Sequence, residues 1–237
     1  ELAIMQKNIE IMESEKVSML EAFSTTAAKK GLIIGVGVMF FQQFSGINAV
    51  IFYTTSIFTD AGASFNPSLQ TIIVGVVAVV VTYISTLVVD RMGRRPLLLM
   101  SDFFMAICTF FLGLYFFLKT ETSFDISIIN WLPIVSMCIY LVMFSLGYGP
   151  IPWMLISEVF PRKIVGYACS ICCVANMLGV FFVTKFFSDI NVAIGTFGSF
   201  WLFTIISAIG TAFVYFCIPE TKGKTTEEVQ VLLSGNK

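Results

Sequence analysis

Six long apolar runs, at about 31–58, 69–89, 96–118, 129–157, 166–187 and 196–218, constrain this chain more than any other feature. Each reaches the ~20 residues that carry a helix across the roughly 30 Å hydrocarbon core of a bilayer. In hydrocarbon every backbone N–H and C=O must be satisfied within the chain, so runs of this length fold as helices. The first and fourth runs are longer than a crossing needs and hold Gly or Pro in their middles, which permits bent or broken helices. The expected fold is an all-α membrane protein with six transmembrane helices over 31–218. A helical linker over 1–30 precedes them and a tail over 219–237 follows.

Charge agrees with that fold and narrows the chemistry. Only 12% of the 237 residues are charged, against roughly 25% in soluble domains. The net charge of −1 points to no nucleic-acid partner. With no histidine in the chain, Ser-His-Asp hydrolysis, Cys-His proteolysis and histidine-ligated metals drop out. No enzyme, metal or cofactor is expected. The cysteines at 108, 138, 169, 172, 173 and 217 all fall in apolar runs and read as small packing residues rather than a disulfide or metal framework. The chain begins at Glu1, its first 30 residues are polar and no signal peptide is visible, so a fragment of something longer is expected.

Basic residues fix the expected orientation. Twelve of the 14 Lys and Arg fall on one side of the runs, including Lys29, Lys30, Arg91, Arg94, Arg95, Arg162, Lys163, Lys222 and Lys224. Only Lys119 and Lys185 fall on the other. That asymmetry puts both ends of the chain in the cytoplasm. Within 1–30, Leu2, Met5, Ile9 and Met12 recur at helical spacing, which suits a cytoplasmic helix docked on its own protein.

The first run carries Gln42, Gln43, Ser45 and Asn48 inside "FFQQFSGINAVIFY". A side-chain amide without a partner in lipid costs several kcal/mol. On a straight helix Gln42 shares a face with Gly46, Ala49 and Tyr53, while Gln43 and Asn48 point to opposite sides of it. A break near Ser45-Gly46 would let the three amides converge on one cavity, as unwound helices do in secondary transporters. Interhelical cross-linking is the plainer alternative, but three amides so close together favour a cavity. The fourth run holds "GYGPIPW", where Pro150 and Pro152 each remove a backbone donor and free a carbonyl that must find a partner. Trp153 follows with a flat apolar face, and an interfacial belt position is its plainer alternative. Amides plus an indole suit a neutral polyhydroxylated ligand. Asp102 and Glu158 read as lying near cytoplasmic ends and Lys185 near an outer end, leaving no charge at mid-span.

These residues resemble the sugar porter family of the major facilitator superfamily, over the last six of its twelve spans. "QQFSGINAVIFY", "DRMGRR", "GPIPW", "SEVFPRK" and "PETKGKT" match its motifs in order and spacing, and "FFVTKFF", "GSFWLF" and "FSLGYGPIPW" look most like insect facilitated trehalose transporters. The resemblance implies one six-helix half of a major facilitator fold in the plasma membrane, whose partners are a sugar, the lipid bilayer and an N-terminal six-helix half. It implies that Gln42, Gln43, Asn48 and Asn176 bond sugar hydroxyls, that Trp153 stacks on the ring, and that Phe52 and Tyr53 form an outer gate. It further implies a cytoplasmic charge network of Asp90, Arg91, Arg94, Arg95, Glu158 and Arg162.

Three positions depart from the glucose-carrier pattern: Ala78 stands for an Asn, Ser145 for a Glu and Met177 for a second Trp. Those losses fit a larger pocket and a disaccharide such as trehalose, and equally a weak or altered sugar selectivity. The expected function is facilitated diffusion of trehalose or a hexose by alternating access, and no G-x-x-x-x-G-K-[ST] loop suggests ATP use. A non-transporting sugar sensor and a proton-coupled symporter are the alternatives.

Overall fold

The structure, a computed structural model, describes residues 23–61, 66–122 and 125–235. Leu2, Met5, Ile9 and Met12 of the expected linker lie outside the described residues, as does the side chain of Asp90. Every regular element among the described residues is helical: α1 (Thr26–Phe44), α2 (Ile47–Ala61), α3 (Pro67–Met92), α4 (Arg94–Glu121), a 3-10 turn (Ile126–Ile129), α5 (Leu132–Leu146), α6 (Ile151–Val159), α7 (Val165–Cys217) and α8 (Thr226–Ser234). Five stretches are long and apolar enough to cross a membrane: Thr26–Ala61, Ser68–Ser85, Arg94–Glu121, Ile126–Val159 and Val165–Cys217.

The last of these contains two of the expected runs. Gly195 adopts φ 75° and ψ 163°, a conformation open essentially to glycine alone. The rings of Phe187 and Phe203, equidistant in sequence from Gly195, stack with centroids 6.0 Å apart. On a straight helix they would be ~24 Å apart. The chain therefore reverses at Gly195, giving arms over 165–194 and 196–217.

Neighbouring spans run in alternating directions. The Thr109 and Thr204 hydroxyls meet at 2.9 Å and Phe116 stacks on Phe200 at 5.7 Å, which sets α4 antiparallel to the second arm of α7. Ser101 reaches Met143 while Tyr115 reaches Asn130, so α5 is antiparallel to α4 as well. α7 lies against both α1 and α4. Close glycine contacts draw α1 onto it: a Cβ on Gly35 would sit 2.8 Å from Cys172 Sγ, and one on Gly179 2.8 Å from Gln43 Cβ. Cys172 is thus a packing residue of that seam.

The alternation gathers Lys29, Lys30, Arg94, Arg95, Arg162, Lys163, Lys222 and Lys224 at one end of the bundle. At the other end Asp125 caps the 3-10 turn, accepting from the Ser127 amide at 3.0 Å. Bonds from the Ser127 hydroxyl and amide hold that carboxyl below the usual carboxylate range. α1 starts at Thr26, inside the expected linker, where Thr25 Oγ1 accepts from the Ala28 amide at 3.2 Å. Within the expected tail, α8 opens with a Thr225–Glu228 capping box. It seats Val229 and Leu233 against α1 and α6.

Candidate functional site

Two helix breaks face each other within the bundle. The first separates α1 from α2 at Ser45-Gly46, where the sequence places it. Gly46 takes φ 97°, and a Cβ there would meet the Phe203 ring at 2.6 Å. Hydroxyls satisfy the loosened backbone: Ser45 Oγ donates to the Gln42 carbonyl at 2.8 Å, and the Tyr140 hydroxyl donates to the Ser45 carbonyl at 3.1 Å.

The second break separates α5 from α6 at 147–150. In a regular helix the amide of residue 152 would donate to the carbonyl of Tyr148, but Pro152 has no N–H. Gln42 Nε2 supplies the missing donor at 2.6 Å and also reaches the Gly149 carbonyl at 3.2 Å. Ser101 of α4 brackets the same break. Its hydroxyl donates to the Met143 carbonyl at 2.8 Å and accepts from the Tyr148 amide at 3.3 Å. A Cβ on Gly147 would lie 2.4 Å from that of Ser101, so only glycine lets α4 approach so closely.

From Gln42 a chain of amides follows with a fixed sense. Both Gln42 N–H groups face carbonyls, so its Oε1 must accept, and it does so from Asn176 Nδ2 at 2.6 Å and Gln43 Nε2 at 3.3 Å. Gln43 Nε2 donates also to Asn176 Oδ1 at 3.1 Å, and Asn48 Nδ2 donates to Gln43 Oε1. With its second N–H, Asn176 meets the Met39 sulfur at 3.3 Å. The donors of Gln42, Gln43 and Asn176 are thereby all used. What faces outward is one N–H and the carbonyl oxygen of Asn48, with spare lone pairs on Gln43 and Asn176.

These four residues line one cavity of about 320 Å³ together with Trp153 and Met177. The sequence reading therefore names five residues, from α1, α2, α6 and α7, that the fold brings together. No charged side chain among the described residues lines the cavity. Trp153 and Met177 are 45% and 53% exposed, so its mouth is open and apolar. Phe52 and Tyr53 sit elsewhere. Phe52 points outward on α2, and the Tyr53 hydroxyl donates to the Thr184 carbonyl at 3.4 Å with its ring against Phe187. Of the three departures from the glucose-carrier pattern, Met177 lines the cavity while Ala78 and Ser145 do not.

Asp102 lies toward the basic end of α4, against Gly210 of the second arm of α7. It is fully buried and faces the Tyr148 and Ser207 hydroxyls, and Ser207 lies halfway along the second arm of α7. Neither carboxyl oxygen, nor either hydroxyl, completes a hydrogen bond. One acid thus lies within the spans, behind the second break and away from the cavity.

At the basic end three of the quoted motifs meet. Arg94 Nη2 pairs with Glu158 Oε1 at 2.9 Å, and the Thr221 hydroxyl donates to Glu158 Oε2 at 2.6 Å. Glu220, which the sequence reading passed over, accepts from the backbone amides of Arg94 and Arg95 at 3.1 and 3.2 Å. It thereby caps α4, whose N-cap Gly93 has no side chain to do so. Gly93 takes φ 95°, and a Cβ there would meet Glu220 Oε2 at 2.8 Å. Of the expected network, Arg94 and Glu158 pair. Arg91 offers its carbonyl to Lys222, Arg95 turns to Tyr215, and Arg162 is exposed.

The family described as sugar (and other) transporter matches residues 1–233. The facilitated trehalose transporter Tret1 of Aedes aegypti is 50% identical over 206 residues, 87% of this chain and 25% of that protein. Its counterpart in Culex quinquefasciatus is 47% identical over 218 residues, 92% of this chain and 42% of that protein. Among solved structures, the proton:xylose symporter XylE bound to 6-bromo-6-deoxy-D-glucose aligns with TM-score 0.73 and 35% identity, over 85% of this chain and 42% of that one. The inward open conformation of XylE from E. coli gives TM-score 0.75 and 32% identity, over 96% and 46%. The chain spans less than half the length of each of these relatives.

Proposed function

The chain belongs to the sugar transporter family, and from that premise we propose that it forms the second six-helix half of a carrier for trehalose or a hexose. The single observation that carries this reading is the shared cavity of Gln42, Gln43, Asn48, Asn176 and Trp153, open, free of charge among the described residues and held by neutral amides. Sugar hydroxyls both donate and accept. The lone pairs left on Gln43, Asn48 and Asn176 take the donated protons, Asn48 offers one N–H in return, and the indole covers the ring's C–H face.

An N-terminal six-helix half supplies the opposite wall, and the two halves rock about the cavity to expose it to either side. Six helices span the plasma membrane with both ends of this chain in the cytoplasm, as the gathering of basic residues at one end supports. Phe52 and Tyr53 close the outer side. The Arg94–Glu158 pair holds the inner side, within a charge network that the family resemblance extends to Asp90, Arg91, Arg95 and Arg162. The mode we favour is facilitated diffusion, with which a cavity lined by no acid among the described residues is compatible. Proton coupling is the second reading, favoured by one observation: Asp102 buried without a completed hydrogen bond.

Labelled-trehalose uptake by the full-length carrier in oocytes tests this, with glucose as competitor and a proton uncoupler in parallel. Saturable uptake that survives the uncoupler, with Trp153→Ala raising KM by about tenfold, the ratio that 1.4 kcal/mol gives, is the expected result. Absence of flux for either sugar despite surface expression overturns the carrier in favour of a sensor. Collapse under the uncoupler makes it a symporter.

A further inference from the structure

A second cavity, of about 510 Å³, lies at the basic end where α1 begins and α7 ends, roofed by α8. Two cations line it, Lys30 and Arg95, and no acidic side chain among the described residues does. Arg95 is held but not neutralised. Its Nη2 donates to the Tyr215 carbonyl at 2.5 Å and its guanidinium lies 5.5 Å from the Tyr215 ring centroid. Its Nε is buried with no hydrogen-bond partner. A nearby carboxylate that could have paired with it, Glu220, is spent on the backbone amides of α4 and on that of Lys222.

The remaining wall is apolar and open. Ile33, Phe216 and Leu232 are 61%, 81% and 52% exposed; the first two continue the apolar outer faces of α1 and α7 toward the charged end, and Leu232 faces them from α8. Water is a poor occupant of such a surface, which removes apolar area only when something apolar covers it. A small soluble anion would satisfy the two cations and leave these three side chains wet. The occupant must carry a negative head and an apolar tail side by side, at the level where the spans leave the hydrocarbon.

We propose that this cavity binds one anionic phospholipid, its phosphate between the Lys30 ammonium and the Arg95 guanidinium and its acyl chain along Ile33 and Phe216. The inference goes beyond the sugar reading and touches none of the cavity residues used there. Because α8 and the start of α4 both border the site, a bound lipid ties the tail helix to the span that carries Arg94.

Native mass spectrometry of the full-length protein in mild detergent tests this without sugar present. The probes are phosphatidylglycerol and phosphatidylcholine with identical chains. The expected result is one retained phosphatidylglycerol in preference to phosphatidylcholine. That preference should fall about fivefold in Lys30→Gln and roughly thirtyfold in Lys30→Gln with Arg95→Gln, as ~1 kcal/mol for each basic residue near an anionic headgroup requires. Lys30→Arg keeps the charge and should retain the preference even if the double variant does not fold, and Lys163→Gln, outside the cavity, should retain it too. Equal retention of both lipids by the unaltered protein overturns the proposal, as does an unchanged preference in Lys30→Gln. Displacement of the lipid by glycerol phosphate at equal concentration also overturns it, since a headgroup site alone would then suffice. Sugar flux is measured separately, so a failure here leaves the carrier reading standing, and the reverse.

Discussion

The interior of the bundle and its basic end are held together by different chemistry. Inside, two broken helices are stitched by neutral groups: Tyr140 and Ser45 at one break, Gln42 and Ser101 at the other. At the basic end the fastenings are charged: Arg94 with Glu158, Glu220 with the amides of α4, and Lys222 with the Arg91 carbonyl. In hydrocarbon an unmade hydrogen bond costs its full desolvation, whereas an ion pair in contact with water is worth only ~0–1 kcal/mol. Arg94 and Glu158 keep 12% and 25% of their side-chain surface in that contact, a partly buried pair at the water-facing end. The interior should therefore fail hard and without regard to salt. The basic end should yield by small steps that salt removes.

The largest effect is expected at Gly46, where the interior depends on having no side chain at all. Gly46→Ala puts an L residue at φ 97° and a methyl against the Phe203 ring. The left-handed conformation costs ~1–2 kcal/mol and overpacking a further 1–3. A fall in melting temperature large enough to lower surface expression, measured in the full-length protein, is the expected outcome. A wild-type melt would mean that the two half-helices can reseat without the break.

Next is Gln42→Leu, which keeps the volume and removes the hub. The Tyr148 carbonyl and an N–H each of Gln43 and Asn176 lose their partner. Each such loss costs roughly 1–3 kcal/mol, so sugar affinity should fall at least about tenfold. Raising the salt to molar concentration should leave that ratio unchanged. A ratio that closes with salt would place Gln42 in contact with water and break the contrast.

How much of this was legible follows the same division. The break at Ser45-Gly46 could be read because amides on opposite faces of one apolar helix admit few other arrangements. Gln42, Gln43 and Asn48 followed from it, Trp153 from the proline-rich stretch that precedes it, and Asn176 only from the resemblance to the sugar porter family. Tyr148 was missed, although the signal was present: a proline in a helix frees the carbonyl four residues before it, and four before Pro152 is Tyr148. The burial of Asp102 was not legible because distance along a helix says nothing of what a neighbouring helix brings alongside, here Ser207 and Gly210. Glu220 was missed because its partners are backbone amides of α4, a pairing that no comparison of side chains along the chain would reveal. The reversal at Gly195 was legible as a gap between two apolar runs, while its hand and tightness came from φ.

Ser101→Ala tests whether α4 supports the cavity from behind. It removes both the bond to the Met143 carbonyl and the acceptor for the Tyr148 amide, worth ~1–2 kcal/mol together. Ser101 does not line the cavity, so a merely structural role would lower the amount at the surface and leave KM unchanged. A severalfold rise in KM at constant surface amount and constant kcat is expected, because the Tyr148 carbonyl orients Gln42.

Glu220→Gln is the smallest change and the sharpest test of the contrast. The carboxylate sits at the N-terminus of α4, where the helix dipole adds to two amide bonds, and such a charge contributes ~0.3–1 kcal/mol at low ionic strength. The amide variant keeps an oxygen that accepts one N–H and loses the charge and the second bond. Stability should drop by about 0.5 kcal/mol at low salt. At 1 M salt, where the screening length is about 3 Å, most of that difference should disappear. Gln42→Leu measured in the same two buffers should show none of this convergence. If Glu220→Gln instead costs as much as Gln42→Leu and ignores salt, the basic end is as dry as the interior. The Arg94–Glu158 pair would then be a buried ion pair, for which losing one partner costs ~3–5 kcal/mol, and Glu158→Gln would have to show a loss of that size.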